Sequence, residues 1–236
     1  LTAFPFGGSH IQRPKLSAES YALFAQGEYF ITDALSVVVG ARWTTETKDW
    51  KLRDYWTSSL SLDPTVAEAA PGSPFLPPAF NVDTSKDSDA FTPKFGVNYR
   101  LDNALLYASA TRGYKSGGFD YGSSNAVDSA RGYDAEYLWA YELGAKTDWL
   151  DKRLRANVSA FFYDYTDLQV QSYANFLAST QNAANAEVKG VELELTAKPA
   201  AAIDLFANVT YLDATYSDYA GAYTNLFGPF DAAGKR

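Results

Sequence analysis

The chain contains no cysteine and no methionine, and its single histidine is His10. Without cysteine there is neither a disulfide framework nor a thiolate metal site. With one histidine, lodged in the Gly/Pro-flanked stretch "GGSHIQRP", Ser-His-Asp chemistry and histidine-based metal catalysis have only one candidate base. An exposed loop histidine is the plainer reading, so an enzyme is not expected. No run approaches the roughly 18 consecutive apolar residues that a membrane helix needs. That excludes a helical membrane protein but not a barrel, whose strands alternate and never build a long apolar run. Residues 1–14 also lack the charged and apolar regions of a signal peptide. Positive charge is in deficit, with 20 Lys and Arg against 28 Asp and Glu and a formal net charge of -8. Nucleic acid is therefore not an expected partner, because phosphate recognition needs basic stripes.

Aromatic residues, in contrast, are abundant at 16%, with 17 Tyr, 15 Phe and 5 Trp. Tyrosine in excess suits surfaces that are half apolar and half wet. The dominant sequence period is two. "LSVVVGARWTTET" sets Leu35, Val37, Val39, Ala41 and Trp43 against Ser36, Gly40, Arg42 and Thr44. "EYLWAYELGAKTDW" sets Tyr137, Trp139, Tyr141 and Leu143 against Glu136, Glu142, Gly144 and Lys146. Alternation of this kind is a strand signal. It predicts strands over roughly 19–31, 35–49, 89–101, 103–114, 135–149, 153–171, 187–198 and 203–216.

The connections alternate in length: short near Thr32–Ala34, Asp102, Leu150–Lys152 and Pro199–Ala202, and long over 50–88, 115–134, 172–186 and 217–236. Short turns at one end and long loops at the other fit an outer-membrane barrel, with short periplasmic turns and extracellular loops. The polar stripe would then line a wet lumen and carries Lys94, Asn98, Arg100, Glu142, Lys146, Arg155, Asn157, Glu192 and Glu194. The apolar stripe, with Trp43, Tyr99, Tyr137, Trp139, Trp149 and Tyr211 near strand ends, would meet lipid and its interfaces. Alternation alone also allows a soluble β-sandwich, whose polar stripe would be its wet outside.

Longer motifs add a resemblance. "LYASATRGYKSGGFD" resembles the Y-x-S-x-x-x-G-Y-K-S-G-G-F segment of TonB-dependent outer-membrane receptors. "YELGAKTDWLDKRLRANVSAFFYDYTDLQV", "NAANAEVKGVELELTAKP", "YLDATYSDY" and "SYALFAQGEYFITDALSVVVGARWTTETK" are similar to further hairpins of that family, from about residue 19 to 219. The resemblance implies an all-β, antiparallel, up-and-down transmembrane β-barrel of about 22 strands with a plugged lumen. The eight strands would form part of it, and an open curved sheet if taken alone. On that expectation residues 1–236 are a partial receptor barrel from the C-terminal half, lacking plug, TonB box and terminal strands. An eight-stranded barrel complete in itself is the alternative.

The implied function is TonB-coupled uptake of a ferric siderophore or similar bulky nutrient, with a passive porin-like or adhesin barrel as the alternative. The implied partners are that ligand, the TonB complex through an N-terminal region and the lipid of a Gram-negative outer membrane. No cofactor is expected, iron arriving only within the ligand. Loop aromatics and cations are the ligand-contact candidates: Trp56, Arg112, Tyr114, Lys115, Phe119, Tyr121, Tyr173 and Phe176. Packing among long loops is the competing reading for each. In "RGYKSGGFD", Gly117 and Gly118 permit positive φ, letting the chain bend away or another segment pass close to its backbone. The pairs Asp164/Asp167 and Glu192/Glu194 admit acid-base or Ca²⁺ readings, but solvated or ion-paired lumen charge is the simpler one.

Overall fold

The structure, a computed structural model, describes residues 9–57, 79–120, 125–174, 177–219, 222–224, 228–230 and 232–235. Eight long strands dominate it: β1 (Ser9–Phe30), β2 (Leu35–Thr57), β3 (Phe80–Leu101), β4 (Ala104–Lys115), β5 (Glu136–Trp149), β6 (Leu154–Ala174), β7 (Leu177–Ala200) and β8 (Ile203–Asp218). They form one antiparallel sheet in the order β1-β2-β3-β4-β5-β6-β7-β8, each strand beside its neighbour in sequence. The sheet is not closed, so β1 and β8 are its two edges. A helix, α1 (Ala126–Arg131), and a two-stranded ribbon of β9 (Ala222–Thr224) and β10 (Gly228–Phe230) lie in the connections.

All eight expected strands are present, but several run further than the alternation marks. β1 begins at Ser9, β2 continues to Thr57, β3 starts at Phe80 and β7 at Leu177. Much of 50–57, 80–88 and 177–186 is therefore ladder, where loop was expected. The register runs unbroken from Phe30↔Ser36 to Ser9↔Thr57. Backbone pairing needs no apolar face. In these extensions the open stripe becomes polar while the ladder persists, so the hydrophobic period that reports it disappears.

Directly paired residues share a face, so the register sorts the side chains. Trp43 pairs Phe91 and Leu23, Tyr141 pairs Phe162 and Ala110, and Leu143 pairs Ala160 and Ala108. This stripe is apolar and open: Trp43 is 52% exposed, Phe95 50% and Leu143 64%. Among the described residues no second layer covers it. On the opposite face Ser36 pairs Asn98, Lys146 pairs Asn157, and Ser159 pairs Glu192. Here hydrogen bonds link several of the polar groups. Glu28 accepts from Ser36 Oγ at 2.6 Å and Asn98 Nδ2 at 3.2 Å, and Glu142 accepts from Tyr107 OH at 2.5 Å. Arg42, Lys94, Arg100, Lys146 and Arg155 all share this face, but Glu28, Glu46, Glu142, Glu192 and Glu194 interleave with them. The stripe is mixed in sign rather than basic.

Candidate ligand-binding site, a loop folded onto the polar face

At the long-loop end the polar face of β2 turns apolar. Trp50 and Leu52 of β2 and Val82 of β3 are 4%, 1% and 7% exposed. Phe80, Phe119, Ala126 and Ala130 pack against them. The cover is the β4–β5 connection, which folds back over the sheet instead of projecting away. Its helix α1 begins at Asn125, whose side chain accepts from the Asp128 N–H at 2.9 Å. It ends at Gly132, held at φ +60°, a conformation that glycine adopts without a Cβ penalty. "SNAVDSARG" thus carried an N-cap and a C-terminal glycine signal. Sequence reasoning missed this helix.

The stretch Ser116–Asp120 is fastened by side chains of β2 and β6 and by the backbone of β7. Lys48 Nζ donates to Ser116 Oγ and to the Gly117 carbonyl, each at 2.7 Å, and Ser116 Oγ donates to Glu46 at 2.5 Å. Gln169 Nε2 donates to the carbonyls of Ser116 and Asp134, both at 2.9 Å. Asp120 accepts from the Thr180 N–H. Lys86 Nζ pairs with Asp134 at 2.7 Å, and Trp50 Nε1 donates to the fully buried Ser129 Oγ at 3.1 Å. The Phe119 ring stacks on Trp50, centroids 6.0 Å apart and planes 4° from parallel.

The two glycines of "KSGGF" serve close approach. Gly118 and Tyr133 exchange backbone hydrogen bonds of 3.0 and 2.8 Å. A Cβ on Gly117 would stand 2.5 Å from the Tyr133 carbonyl, and one on Gly118 2.6 Å from the Tyr133 hydroxyl. Among the described glycines only Gly132 and Gly234 have positive φ. The positive-φ expectation for Gly117 and Gly118 is therefore corrected, and the close-passage alternative holds. Burial, reinforced by the Asp120 carboxylate, pushes the Tyr133 phenol above its ordinary pKa, so this side chain stays neutral in the packed loop.

The family profile described as "TonB dependent receptor-like, beta-barrel" matches residues 3–231. The chain belongs to this family. Barrels of TonB-dependent receptors lie in the Gram-negative outer membrane, so the open apolar stripe faces lipid and the stripe under the folded loop faces the barrel interior. Curated relatives include the ferric-pyoverdine BN7/BN8 receptor of Pseudomonas putida, 24% identical over 215 residues, covering 91% of this chain and 23% of that protein. The pesticin receptor of Yersinia pestis is 27% identical over 180 residues, covering 75% and 23%. The chain spans about a quarter of the length of these relatives. Among solved structures, the ferric yersiniabactin uptake receptor of Yersinia pestis superposes with a TM-score of 0.70 at 20% identity, over 88% of this chain and 28% of that one. The ferric-catecholate import receptor of E. coli K12, closed form, gives 0.64 at 18%, over 86% and 29%. These likenesses show the fold.

In the barrel frame the candidate contact residues separate. Lys115 is exposed at the end of β4, its ammonium 3.6 Å from Glu136 on the interior side. Phe119 also lies on the interior side, but its ring is occupied by Trp50. Arg112 departs from expectation: it pairs Trp139 on the lipid-facing stripe, with its guanidinium 4.3 Å above the Tyr137 ring. Tyr114 is half-buried and also packs on Tyr137, centroids 5.8 Å apart. The Arg112–Tyr137 cation–π contact suits an arginine leaving lipid, whereas the Tyr114 hydroxyl lies near Ser88, Ser116 and Glu46, where the loop is fastened. The backbones of Trp56 and Tyr173 extend β2 and β6, their side chains lying outside the described residues along with Tyr121 and Phe176. Among the described residues no group of His, Asp or Glu is placed to hold a metal ion. The carboxylates of interest are hydrogen-bonded or spread apart: Glu194 accepts from Asn157 at 3.2 Å, while Asp167 sits at a bulge with φ 55°.

Proposed function

We propose that this segment supplies interior wall and outer loops of a receptor that takes up a bulky ferric chelate by TonB-coupled transport. The observation carrying the reading is the β4–β5 connection lying over the interior face near the extracellular rim, where an entering ligand must pass. Lys115 offers an exposed cation beside this loop, suited to a flat anionic complex. Relatives named as receptors for iron chelates support the ligand class. In this reading the fastened loop is a wall element, and Lys115 is the residue of the segment that meets the ligand first.

The test uses cells whose only ferric-chelate receptor is the full-length protein. Radiolabelled ferric catecholate, hydroxamate and mixed-ligand chelates are offered with and without TonB. Saturable accumulation of one class that stops without TonB is expected. Accumulation that persists without TonB would make the barrel a passive pore, and no accumulation of any chelate would remove iron from the reading.

A further inference from the structure

We infer that the upper part of β3 is a docking edge for an extended, basic segment of a protein partner, which joins the sheet there as an added strand. The inference rests on the strand register, not on the proposed transport. β3 pairs β2 from Asp54↔Phe80 to Leu35↔Tyr99, but pairs β4 only from Lys94↔Thr111 to Leu101↔Ala104. The Arg100 N–H donates to the Ala34 carbonyl on the β2 side at 2.7 Å. Backbone groups alternate in direction along a strand, so even-numbered residues of β3 serve β2 and odd-numbered ones face the β4 flank. The ladder to β4 ends at Pro93, an odd-numbered residue with no N–H to give. β4 itself stops at Lys115, and the chain then crosses the interior face toward Glu46 and Lys48 of β2. Asn81, Asp83, Ser85, Asp87 and Asp89 therefore turn their N–H and C=O groups to a vacant flank. Among the described residues these groups have no backbone partner there, and all five residues are exposed. Closing the barrel cannot supply a partner, because β4 already is the neighbour of β3 on that side. Across the gap above β4 and β5, the Gln169 N–H of β6 is capped by the Glu136 carboxylate at 2.8 Å. The β3 edge has no such cap. From Asn81 to Asp89 it runs roughly 26 Å at about 3.3 Å per residue, a template for strand addition.

Charge selects the occupant. The odd-numbered side chains of β3 share the outward face with their partners on β2 and β1. The tier of Ser85 carries Asp49, the tier of Asp87 carries Glu19, and Asp89 lies in the next tier toward the membrane. No lysine or arginine of β1, β2 or β3 shares these three tiers. Asp87 accepts from Thr47 Oγ1 at 2.7 Å, a neutral donor that leaves its charge uncompensated. Cations begin only higher up, with Lys15 and Lys51 in the tier of Asp83 and Arg13 and Arg53 in that of Asn81. There Lys51 bridges Asp83 at 2.8 Å. A second copy of this edge would set aspartates against aspartates, which destabilises a ladder. A segment carrying Lys or Arg at alternate positions instead meets the carboxylates of Asp87 and Asp89 while its backbone completes the ladder. Trp43 and Phe91, in ring contact at 6.4 Å, mark the outer edge of the apolar band just below, so the partner approaches from the water outside the membrane.

The experiment uses the full-length receptor in detergent and synthetic peptides of about nine residues, a length that spans the edge. One alternates Lys and Thr, one alternates Glu and Thr, and a third is the basic peptide N-methylated on the backbone of its lysines. The basic peptide is expected to bind, and the acidic and N-methylated ones to lose that binding. Ser85→Pro deletes one edge donor while the ladder to β2 keeps its bonds, and should weaken the basic peptide about 5-fold. Asp87→Asn combined with Asp89→Asn should weaken it by a similar factor, about 5-fold, at low salt and hardly at all at high salt. Heat-modifiable migration checks that each variant is folded; if Ser85→Pro is not, the N-methylated peptide on the parent receptor decides the backbone question. No binding of the basic peptide, equal binding of the acidic or the N-methylated peptide, or unchanged affinity in the folded variants would each overturn the inference. So would dimerisation of the receptor that Ser85→Pro abolishes, since it would give the edge to a second copy.

Discussion

The Trp50 indole and the Phe119 ring stack with planes near parallel and centroids 6.0 Å apart, joining the barrel wall to a loop whose sequence position is far away. This contact sits at the centre of a small apolar cluster on an otherwise polar face. Around it the loop is held by Lys48, Lys86, Gln169 and Asn182 from different strands. The cluster supplies non-directional burial, and the polar contacts fix the loop's register on the wall.

Phe119→Ala in the full-length receptor removes that stack and its buried area, a loss of roughly 3 kcal/mol in local docking. Hydrogen exchange of the 116–134 backbone should accelerate strongly, while gel migration of the unheated barrel stays the same. Exchange as slow as in the parent would show that the stack does not hold the loop.

The two glycines behave differently on substitution. In Gly118→Ala the new methyl meets the Tyr133 ring, a side chain that can be trimmed. In Gly117→Ala it meets the Tyr133 carbonyl and Asp134 backbone, which cannot. Adding Tyr133→Ala should therefore restore part of the lost protease resistance in the Gly118 variant and none in the Gly117 variant. Rescue of both, or of neither, contradicts this geometry.

Lys48 donates to two acceptors in the loop and lies 2.9 Å from Glu46. Lys48→Met keeps the aliphatic stem and deletes the charge, leaving the Gly117 carbonyl without this donor. A cost of about 1–3 kcal/mol follows for the docked loop. We expect weaker retention of whichever chelate the receptor carries, with its maximal transport rate little changed. An unaltered half-saturation concentration would separate the loop from ligand capture.

At the periplasmic end, Leu150, Asp151 and Lys152 all have positive φ, at 55°, 53° and 64°. Leucine is poorly suited to that region, and Leu150 is 71% exposed, so its side chain contributes little packing. Leu150→Gly relieves strain of about 1 kcal/mol against a smaller gain in unfolded-chain entropy. Urea titration of the refolded receptor should show the midpoint unchanged or slightly raised. A marked fall would assign the leucine side chain a packing role.

Much was legible in the residues themselves. The alternation of Val37, Val39, Ala41 and Trp43 against polar neighbours located β2 and its two faces, because a pleated strand exposes successive side chains to opposite solvents. It did not locate the upper third of β2, where Lys51 and Leu52 reverse the pattern. There the outer face meets water, and the inner face is covered by a folded loop. Arg112 and Lys115 looked equivalent as loop cations, yet one step of register parity places Arg112 over Tyr137 on the lipid side and Lys115 beside Glu136 on the interior side.

By itself the sequence determined the antiparallel ladder of eight strands, the assignment of oily and wet stripes and the membership of a membrane barrel. The strands and their stripes follow from local periodicity and turn chemistry, which neighbouring residues encode; the barrel came from the longer motifs that resemble the family, since alternation alone also allows a sandwich. Only the tertiary structure decided that the Ser116–Asp134 connection lies over the interior wall, that its glycines serve close passage, and that Lys15/Lys51 and Arg13/Arg53 coincide across two strands. Those are contacts between segments distant in the chain, and no local pattern reports which side chains a register brings together.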